Sequence, residues 1–218
     1  ETLVRALIER APRLANVEII HLLTLGDAGY VRPGMEGHFR HTAMFVGANV
    51  REAVHTGRAD YMPISLSEVP RLFTSGLLPL DACLIQVSPP DEHGYCSFGV
   101  GVDCTMAAAD VARMVLAQVN SEMPRTLGDS FIHVSKLARI VEVSRPLLEL
   151  PRRPVDEMHR RIARHVAGLI EDGSTLQMGI GGVPDAVLAC LGDRRALGIP
   201  TEMFSDGVME LVEAGVVN

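Results

Sequence analysis

The sequence predicts an α/β protein with an open, mainly parallel, twisted sheet and flanking helices. Apolar, β-rich runs recur along the chain, and several are nearly continuous rather than alternating, which is typical of strands covered by helices on both faces. Helical segments separate these runs, and such alternation of strand and helix favours parallel pairing. The predicted strands begin at Val17, Ala59, Asp81, Arg113, Ser130, Ala138, Ser174 and Thr201.

The composition limits the classes of protein to consider. With 218 residues, of which 47% are hydrophobic, the chain can bury a substantial core. The formal net charge of −7 and the absence of a Lys/Arg cluster argue against a nucleic-acid partner. No apolar run approaches the roughly 20 residues of a membrane span, and no leader-type segment opens the chain. We therefore expect a cytoplasmic protein with no membrane partner, which could form a homo-oligomer.

Neither the cysteines nor the histidines predict a metal site. Cys83, Cys96, Cys104 and Cys190 lack C-x-x-C spacing and lie in apolar or glycine-rich surroundings, which favours structural free thiols over metal ligands. The two histidines of the HFRH segment, residues 38–41, are three positions apart without the glutamate of H-E-x-x-H.

A linker and a clear helix divide the chain. Residues 149–154 contain two prolines and two arginines and are the best candidate linker. The helix that follows is predicted from apolar residues at helical spacing, and Asp172 and Gly173 end it. We expect an N-terminal α/β domain over residues 1–150, then a linker helix and the start of a second α/β domain over residues 151–218. The helical pattern comprises Val155, Met158, Ile162, Val166, Leu169 and Ile170.

The two ends of the chain resemble each other. A shift of 184 positions sets residues 1–7 (ETLVRAL) beside residues 185–191 (DAVLACL), and VEII at Val17 beside TEMF at Thr201. In the second copy a predicted strand and a glycine bend precede the helix, whereas the first copy begins at the helix. We therefore expect a duplicated α/β unit whose first strand and loop are missing from the front and whose second copy is truncated after Asn218.

The segment LQMGIGGVPDAV, residues 176–187, is the strongest local indication of a site. Gly179, Gly181 and Gly182 permit positive φ and close backbone approach, and Pro184 stands at a predicted first helical position. Backbone N–H groups at such a bend favour a phosphate, a carboxylate or a developing oxyanion. The glycines do not complete G-x-G-x-x-G, so a nicotinamide domain is not expected, and neither a Walker loop nor G-x-S-x-G is present.

Two polar loops also follow predicted strands, at residues 87–103 and 120–135, where open α/β sheets place ligands. His93 could be a general acid or base or a hydrogen-bonded turn residue, and Ser88, Asp91 and Tyr95 carry the same ambiguity. Asn120 and Thr126 could meet a ligand, although turn chemistry explains Asn120 equally well. Glu202 and Asp206 could be catalytic acids, with surface or capping roles as the alternative.

Four segments, taken in order, resemble the acetyl-CoA hydrolase/transferase family, and especially its 4-hydroxybutyrate or acetate CoA-transferases. They are VSPPDEHGYCSFGVGVD, NSEMPRTLGDSFIHVS, LQMGIGGVPDAV and TEMFSDGVMELV, and the resemblance extends over essentially the whole chain. It implies two α/β domains with the active site between them. It also implies that a glutamate attacks an acyl-CoA thioester and that the glutamyl-CoA thioester passes CoA to a second carboxylate. Coenzyme A is then a substrate, with no permanently bound cofactor.

The resemblance places no nucleophile in this chain. In the family the glutamate lies beyond the position that matches Asn218, so this fragment alone is expected to be inactive. Pro200 departs from the histidine common in relatives. An acyl-CoA hydrolase and a non-catalytic α/β sensor of phosphorylated small molecules remain the alternatives. The substrate or CoA contacts that the resemblance implies are Gln177, Gly179, Gly181, Gly182, Pro184, Ser88, Pro89, Pro90, His93, Tyr95, Asn120, Met123, Met203 and Ser205.

Overall fold

The structure is a computed structural model that describes residues 2–151 and 154–218. It divides into two compact units, Glu1–Leu148 (unit 1) and Glu149–Asn218 (unit 2). Arg152 and Arg153 of the predicted linker lie outside the described residues. That the two units are one domain and the start of another stays a prediction.

Unit 1 alternates strands with short helices. Its strands are β1 (Val17–His21), β2 (Phe39–Ala43), β3 (Ala59–Tyr61), β4 (Cys83–Val87), β5 (Tyr95–Ser97), β6 (Val115–Asn120), β7 (Phe131–His133) and β8 (Arg139–Val143). Its helices are α1 (Thr2–Glu9), α2 (Arg51–His55), α3 (Val69–Thr74) and α4 (Thr105–Val111). Short 3₁₀ turns lie at Ala11–Arg13, Gly29–Val31, Leu66–Glu68 and Val134–Lys136.

The mainly parallel α/β architecture is confirmed. Strands β1, β2 and β3 form one parallel sheet, and β4, β6 and β8 form another, with β6 in the centre. Strands β5 and β7 form an antiparallel pair. The sequence did not predict β2 or β5. The sequence of β2, FRHTA, is too polar to look like a buried strand, yet β2 is the central strand of its sheet and only Arg40 is exposed.

The second parallel sheet carries an apolar core. Ile85 and Val87 of β4 and Ala117 of β6 pack with Phe73 of α3 and Ala108 of α4. Three cysteines join this core, and their burial raises the pKa of Cys83 to about 11 and that of Cys104 to about 12. These thiols therefore stay protonated near neutral pH, as structural cysteines do. Cys96 is also buried, and Cys190 in unit 2 is a free, partly buried thiol.

Unit 2 is built from helices α5 (Glu157–Ala167), α6 (Gly182–Leu188) and α7 (Asp206–Glu213). Its core contains Ala163 of α5, Leu188 of α6 and Leu211 of α7. The strand predictions at Ser174 and Thr201 were wrong. The first segment contributes only an isolated parallel bridge between Thr175 and Gly198, and residues 201–205 take part in no strand or bridge. A strand requires a hydrogen-bonded neighbour along its length, which apolar composition cannot supply by itself.

Two details of the predicted helices in unit 2 need correction. Pro184 is the third residue of α6, not the first, because Gly182 opens the helix and Gly181 caps it. Proline is tolerated there since N–H groups in the first helical turn lack an intrahelical partner. Helix α5 ends at Ala167. The residues from there to Ile170 form turns and are not part of the helix. In residues 2–151 and 154–218, no helix is long and apolar enough to cross a membrane.

Candidate functional site

A cleft of about 460 Å³ lies in unit 1 where β4, β6 and β8 end. Parallel strands present their carboxyl ends at one edge of the sheet, which is where open α/β sheets bind ligands. Pro89 and Pro90, both predicted as site residues, line this cleft. The other lining residues were not predicted, and the signal that could have found them is their position at the ends of β6 and β8. They are Val119, Ser121, Glu142, Val143 and Ser144.

Two buried serines tie the polar loops of unit 1 together. Ser88 is 2% exposed, and its Oγ accepts the N–H of Ser97 at 2.9 Å and donates to the carbonyl of Pro89 at 3.1 Å. The Oγ of Ser97 accepts the N–H groups of Gly99 and Thr126 at 3.0 and 3.2 Å. The hydroxyl of Ser88 is therefore engaged within the fold.

Asn120 is engaged in the same way. It is 1% exposed, and its Nδ2 donates to the carbonyl of Arg145 at 2.8 Å. Its Oδ1 accepts the N–H of Arg145 at 3.0 Å and that of Glu122 at 3.2 Å. The side chain thus joins the end of β6 to the chain beyond β8. The contact with Glu122 is a turn contact, as the sequence allowed, and the contacts with Arg145 join two separate segments of the fold.

Met123 is 5% exposed and packs beneath Gly99. A Cβ atom added at Gly99 would lie 2.2 Å from the Sδ of Met123, and Gly99 also has a φ of +61°. Only glycine fits both the conformation and the contact. Met123 therefore supports the loop from within.

The outer part of the first loop is open to solvent. The His93 side chain is 75% exposed, with its Nε2 3.6 Å from Glu92 Oε1, and Tyr95 is 46% exposed, with its ring against His133. Asp91 accepts the N–H groups of His93 and Tyr95 at 3.0 and 2.9 Å and pairs with Arg125 at 2.5 Å. The pKa of Asp91 is lowered mainly by the hydrogen bond that it accepts from the N–H of Tyr95. This carboxylate fixes the turn that carries His93.

The glycine bend of unit 2 has a different character. Gly181 has φ 119° and ψ −176°, a conformation essentially restricted to glycine, whereas Gly182 is helical. Gly179 and Ile180 are exposed, and among the described residues the N–H groups of Gly179, Ile180 and Gly181 have no hydrogen-bond partner. Because α6 has only seven residues, the bend offers its own backbone N–H groups rather than the dipole of a long helix.

The segment that begins at Thr201 lies beside the chain that leads into the bend. The Oγ1 of Thr201 donates to the carbonyl of Met178 at 2.7 Å and accepts its N–H at 3.2 Å. Met203 is 39% exposed. Ser205 caps α7 by position, and its buried Oγ has no hydrogen-bond partner among the described residues. Gln177 is exposed, and its side chain forms no hydrogen bond within the described part of the chain.

The remaining candidate residues do not converge. His38 and His41 contact backbone carbonyls through Nδ1, at 2.7 Å to Leu14 and 2.9 Å to Ile19. Within the described ranges, no group of three His, Cys, Asp or Glu side chains is placed to hold a metal ion. Glu202 is exposed and Asp206 is the first residue of α7.

Comparison with known proteins places the chain in a family. The family model for the acetyl-CoA hydrolase/transferase N-terminal domain matches residues 1–149. The chain belongs to this family. The resemblance expected from the four sequence motifs is thereby confirmed.

Individual family members are similar over almost the whole chain. The 4-hydroxybutyrate coenzyme A transferase of Clostridium kluyveri is 54% identical over 99% of this chain and 50% of that protein. A succinyl-CoA:acetate/propanoyl-CoA:succinate CoA transferase of Fasciola hepatica is 47% identical over 94% of this chain and 42% of that protein. The crystal structure of 4-hydroxybutyrate CoA-transferase from Porphyromonas gingivalis superimposes with a TM-score of 0.84 at 41% identity, covering 99% of this chain and 50% of that one. The chain spans about half the length of the curated relatives it matches.

Proposed function

We propose that the full-length protein transfers CoA between an acyl-CoA and a small carboxylic acid of the 4-hydroxybutyrate or acetate type. The relatives with the highest identities given above are CoA transferases for small carboxylic acids. The structural observation that carries the proposal is the exposed bend at Gly179–Gly181, whose backbone N–H groups have no partner among the described residues. Such donors suit an oxygen that gains negative charge during acyl transfer.

The proposed reaction passes through a glutamyl-CoA thioester. A glutamate carboxylate attacks the acyl-CoA carbonyl and displaces the CoA thiolate, forming a mixed anhydride. The thiolate attacks the glutamyl carbonyl of this anhydride and releases the carboxylate of the first substrate. The second carboxylate then reverses these steps and leaves as its CoA ester. Covalent catalysis of this kind splits one difficult exchange into easier acyl transfers, and CoA contacts remote from the carbonyl can supply binding energy.

The nucleophile is assigned to no residue of this chain, and we expect it beyond Asn218 in the full-length protein. For the bend, we propose that Gly179, Gly181, Gly182 and Pro184 face the thioester or acyl group. No permanent cofactor is needed, since CoA arrives with the substrate. A cytoplasmic location stays a prediction.

The residues of unit 1 have different proposed roles. Pro89 and Pro90 form an acyl-pocket wall, and His93 and Tyr95 lie on its outer loop. Ser88, Asn120 and Met123 support that wall from within because they are buried and, for the two polar residues, hydrogen-bonded within the fold. On unit 2, Met203 and Ser205 are proposed to lie near the substrate, and Gln177 at the approach to the bend.

The proposal is tested with the full-length protein and acetyl-CoA. Borohydride reduces an enzyme thioester to an alcohol, so the treated protein should carry one modified glutamate, identified by peptide mass spectrometry, only when acetyl-CoA was present. With 4-hydroxybutyrate added, CoA should appear on that acid while acetate is released. The chain of 218 residues alone serves as the matched control and should give neither result.

Other outcomes would redirect the proposal. Steady release of free CoA without an acceptor acid would indicate an acyl-CoA hydrolase. No adduct and no turnover with several acyl-CoAs, together with binding of a phosphorylated small molecule, would indicate a non-catalytic sensor. Acyl preference needs its own measurement, since one methylene group changes selectivity by only about 1 to 3 kcal/mol.

A further inference from the structure

The glycine bend is fixed at both ends, although the N–H groups of Gly179, Ile180 and Gly181 have no hydrogen-bond partner among the described residues. On the entry side, the Oγ1 of Thr201 both donates to the carbonyl and accepts the N–H of Met178, at 2.7 and 3.2 Å. Thr201 therefore satisfies both backbone groups of the residue just before Gly179. The Thr201 hydroxyl thus supplies to Met178 the two hydrogen bonds that the backbone of a neighbouring strand would otherwise supply.

On the exit side, the imidazole of His159 packs against Gly182. A Cβ atom added at Gly182 would lie 2.8 Å from Nε2 and 3.1 Å from both Cδ2 and Cε1 of His159. Three ring atoms at similar distances mean that the flat side of the ring faces this position. Gly182 is helical, so glycine is not needed there for its φ. It is needed because the ring occupies the space of a side chain.

Asp156 fixes the backbone of His159 and lies beside its ring. Asp156 caps α5, and its Oδ1 accepts the N–H of His159 at 2.8 Å. The Nδ1 atom of the same histidine lies 2.7 Å from that oxygen, off the line of a good hydrogen bond. The carboxylate thus fixes the backbone of His159 and lies beside Nδ1 of its ring, while the Nε2 part of the ring lies against Gly182.

We propose that Thr201 and His159 are positioning residues for the glycine bend. They hold the residues on either side of Gly179–Gly181, so that the three N–H groups of these residues keep one orientation before substrate arrives. Preorganised donors are more effective than donors that must be ordered during the reaction. This inference rests on the proposed CoA transfer, but neither residue is proposed to touch the substrate.

The first test replaces the hydroxyl of Thr201 in the full-length protein. Thr201→Val keeps the shape and removes both hydrogen bonds to Met178, together with the contact to the carbonyl of Met203 at 3.2 Å, whereas Thr201→Ser keeps the hydroxyl. We expect Thr201→Val to lower kcat for CoA transfer about tenfold or more, with KM for acetyl-CoA changed less than about twofold, and Thr201→Ser to recover most of the rate. The amide of Met178 should exchange its hydrogen faster in Thr201→Val alone. Wild-type kcat in Thr201→Val would overturn the role of Thr201.

The second test is a double-mutant cycle between His159 and Gly182. Gly182→Ala alone must displace the ring, and we expect it to lower kcat about tenfold or more. In the His159→Ala background the added methyl group has room, so Gly182→Ala should lower kcat by less than about threefold. Gly179→Ala is the matched control, because its Cβ would meet only Pro184 Cγ at 3.8 Å, and its effect should be equal in both backgrounds. Equal effects of Gly182→Ala in both backgrounds would overturn the role of His159.

The same cycle separates this inference from the proposed function. If the wild-type protein transfers no CoA, the proposed function fails, and the cycle is then measured on the free energy of unfolding and on amide exchange at Met178. Coupling between His159 and Gly182 in those measurements would support the packing at the bend without any catalytic role. Normal transfer with no coupling in either measurement would reject the positioning role alone.

Discussion

The two candidate regions use polar groups in opposite ways. At the strand ends of unit 1, the side chains of Ser88, Ser97 and Asn120 are buried and hydrogen-bonded to the chain itself. At the glycine bend of unit 2, Gly179 and Ile180 are exposed, and their N–H groups have no partner in the described part of the chain. In the first region the polar side chains are bonded within the fold itself. In the second, the backbone itself is the group available to a ligand.

This contrast separates residues that support the fold from groups that can contact a ligand. A buried asparagine at the end of a strand has the residue type of a ligand contact, yet its hydrogen-bonding capacity is already used. A glycine carries no functional side chain, yet it exposes the N–H groups that an oxyanion needs. Substitutions in the two regions should therefore affect different properties, stability in unit 1 and turnover at the bend.

The largest expected effect is on stability, at Asn120. Asn120→Ala leaves the N–H and carbonyl of Arg145 and the N–H of Glu122 without their partner, which should lower the free energy of unfolding by about 3 kcal/mol. Urea denaturation measures this. Asn49→Ala is the control: Asn49 is partly exposed and bonds two loop carbonyls, so its loss should cost less than about 1 kcal/mol. Normal stability of Asn120→Ala with weakened acyl-CoA binding would instead make Asn120 a substrate contact.

The next effect is on turnover, at Gly181. Alanine disfavours a φ of 119°, so Gly181→Ala should displace the bend and lower the rate of CoA transfer by roughly 100-fold in the full-length protein. Gly173→Ala provides a control in the same unit, because Gly173 also has positive φ, +75°, and a Cβ there would likewise meet nothing within 4 Å. We expect both variants to be strained and only Gly181→Ala to lose activity. Equal losses of activity in Gly181→Ala and Gly173→Ala would mean that backbone strain in general, and not the position of the bend, lowers the activity.

A third prediction concerns pH and His21, the last residue of β1. Burial, and then the charge of His41, lowers the pKa of His21 to about 4. As the pH falls below about 6.5, the unfolded chain takes up a proton at this position that the folded protein does not, so stability falls towards pH 4. At pH 5 the loss from this residue should be about 2 kcal/mol relative to pH 7, and His21→Gln should remove it.

Tyr30 supplies the control for that pH dependence. Its hydroxyl lies 3.2 Å from Nδ1 of His21, and burial raises the pKa of Tyr30 to about 12, so it does not ionise in this range. Because burial is the main cause of the shift at His21, Tyr30→Phe should keep the pH dependence that His21→Gln abolishes. Urea denaturation at pH 7, 6 and 5 measures all three proteins. Identical pH profiles for wild type and His21→Gln would show that the acid sensitivity lies elsewhere.

The smallest effect is expected at the outer loop of unit 1. Arg125 donates to Asp91 and to the carbonyl of Tyr95 and lies over the ring of Phe131, but the ion pair is partly exposed. Arg125→Met should lower Tm by about 2 °C, and the difference should shrink in 0.5 M salt as the charges are screened. If Arg125→Met lost more stability than Asn120→Ala, the outer loop would contribute more to the stability of unit 1 than the buried hydrogen bonds do.

Sequence reasoning located both regions but could not distinguish their characters. The ends of β4 and β6 were predictable because these strands are apolar and are followed by polar turns, whereas no site was predicted at the end of β8. Whether Asn120 meets a ligand or the chain depends on where Arg145 lies, which the residues near Asn120 do not reveal. Likewise, LQMGIGG predicted a bend correctly, but the roles proposed for His159 and Thr201 depend on contacts between segments about 20 residues apart in sequence.

The strand errors have a related cause. The segments at Ser174 and Thr201 have the composition of strands, but a strand forms only where a neighbour pairs with it along its length. The opposite error occurred at β2, where a polar sequence is a central strand because β1 and β3 pair with it on both sides. Local composition therefore predicts strands where no neighbour pairs with them, and it misses polar strands in the centre of a sheet.

Amide hydrogen exchange at the bend, with and without acetyl-CoA, tests the central claim most directly. In the full-length protein, the N–H groups of residues 179–181 should exchange rapidly when free and at least about tenfold more slowly when acetyl-CoA is bound. The amides of residues 120–126, which belong to the internally bonded wall, should change much less. Active transfer of CoA with no change in exchange at residues 179–181 would contradict the account, because the bend would then contribute nothing to holding the acyl-CoA.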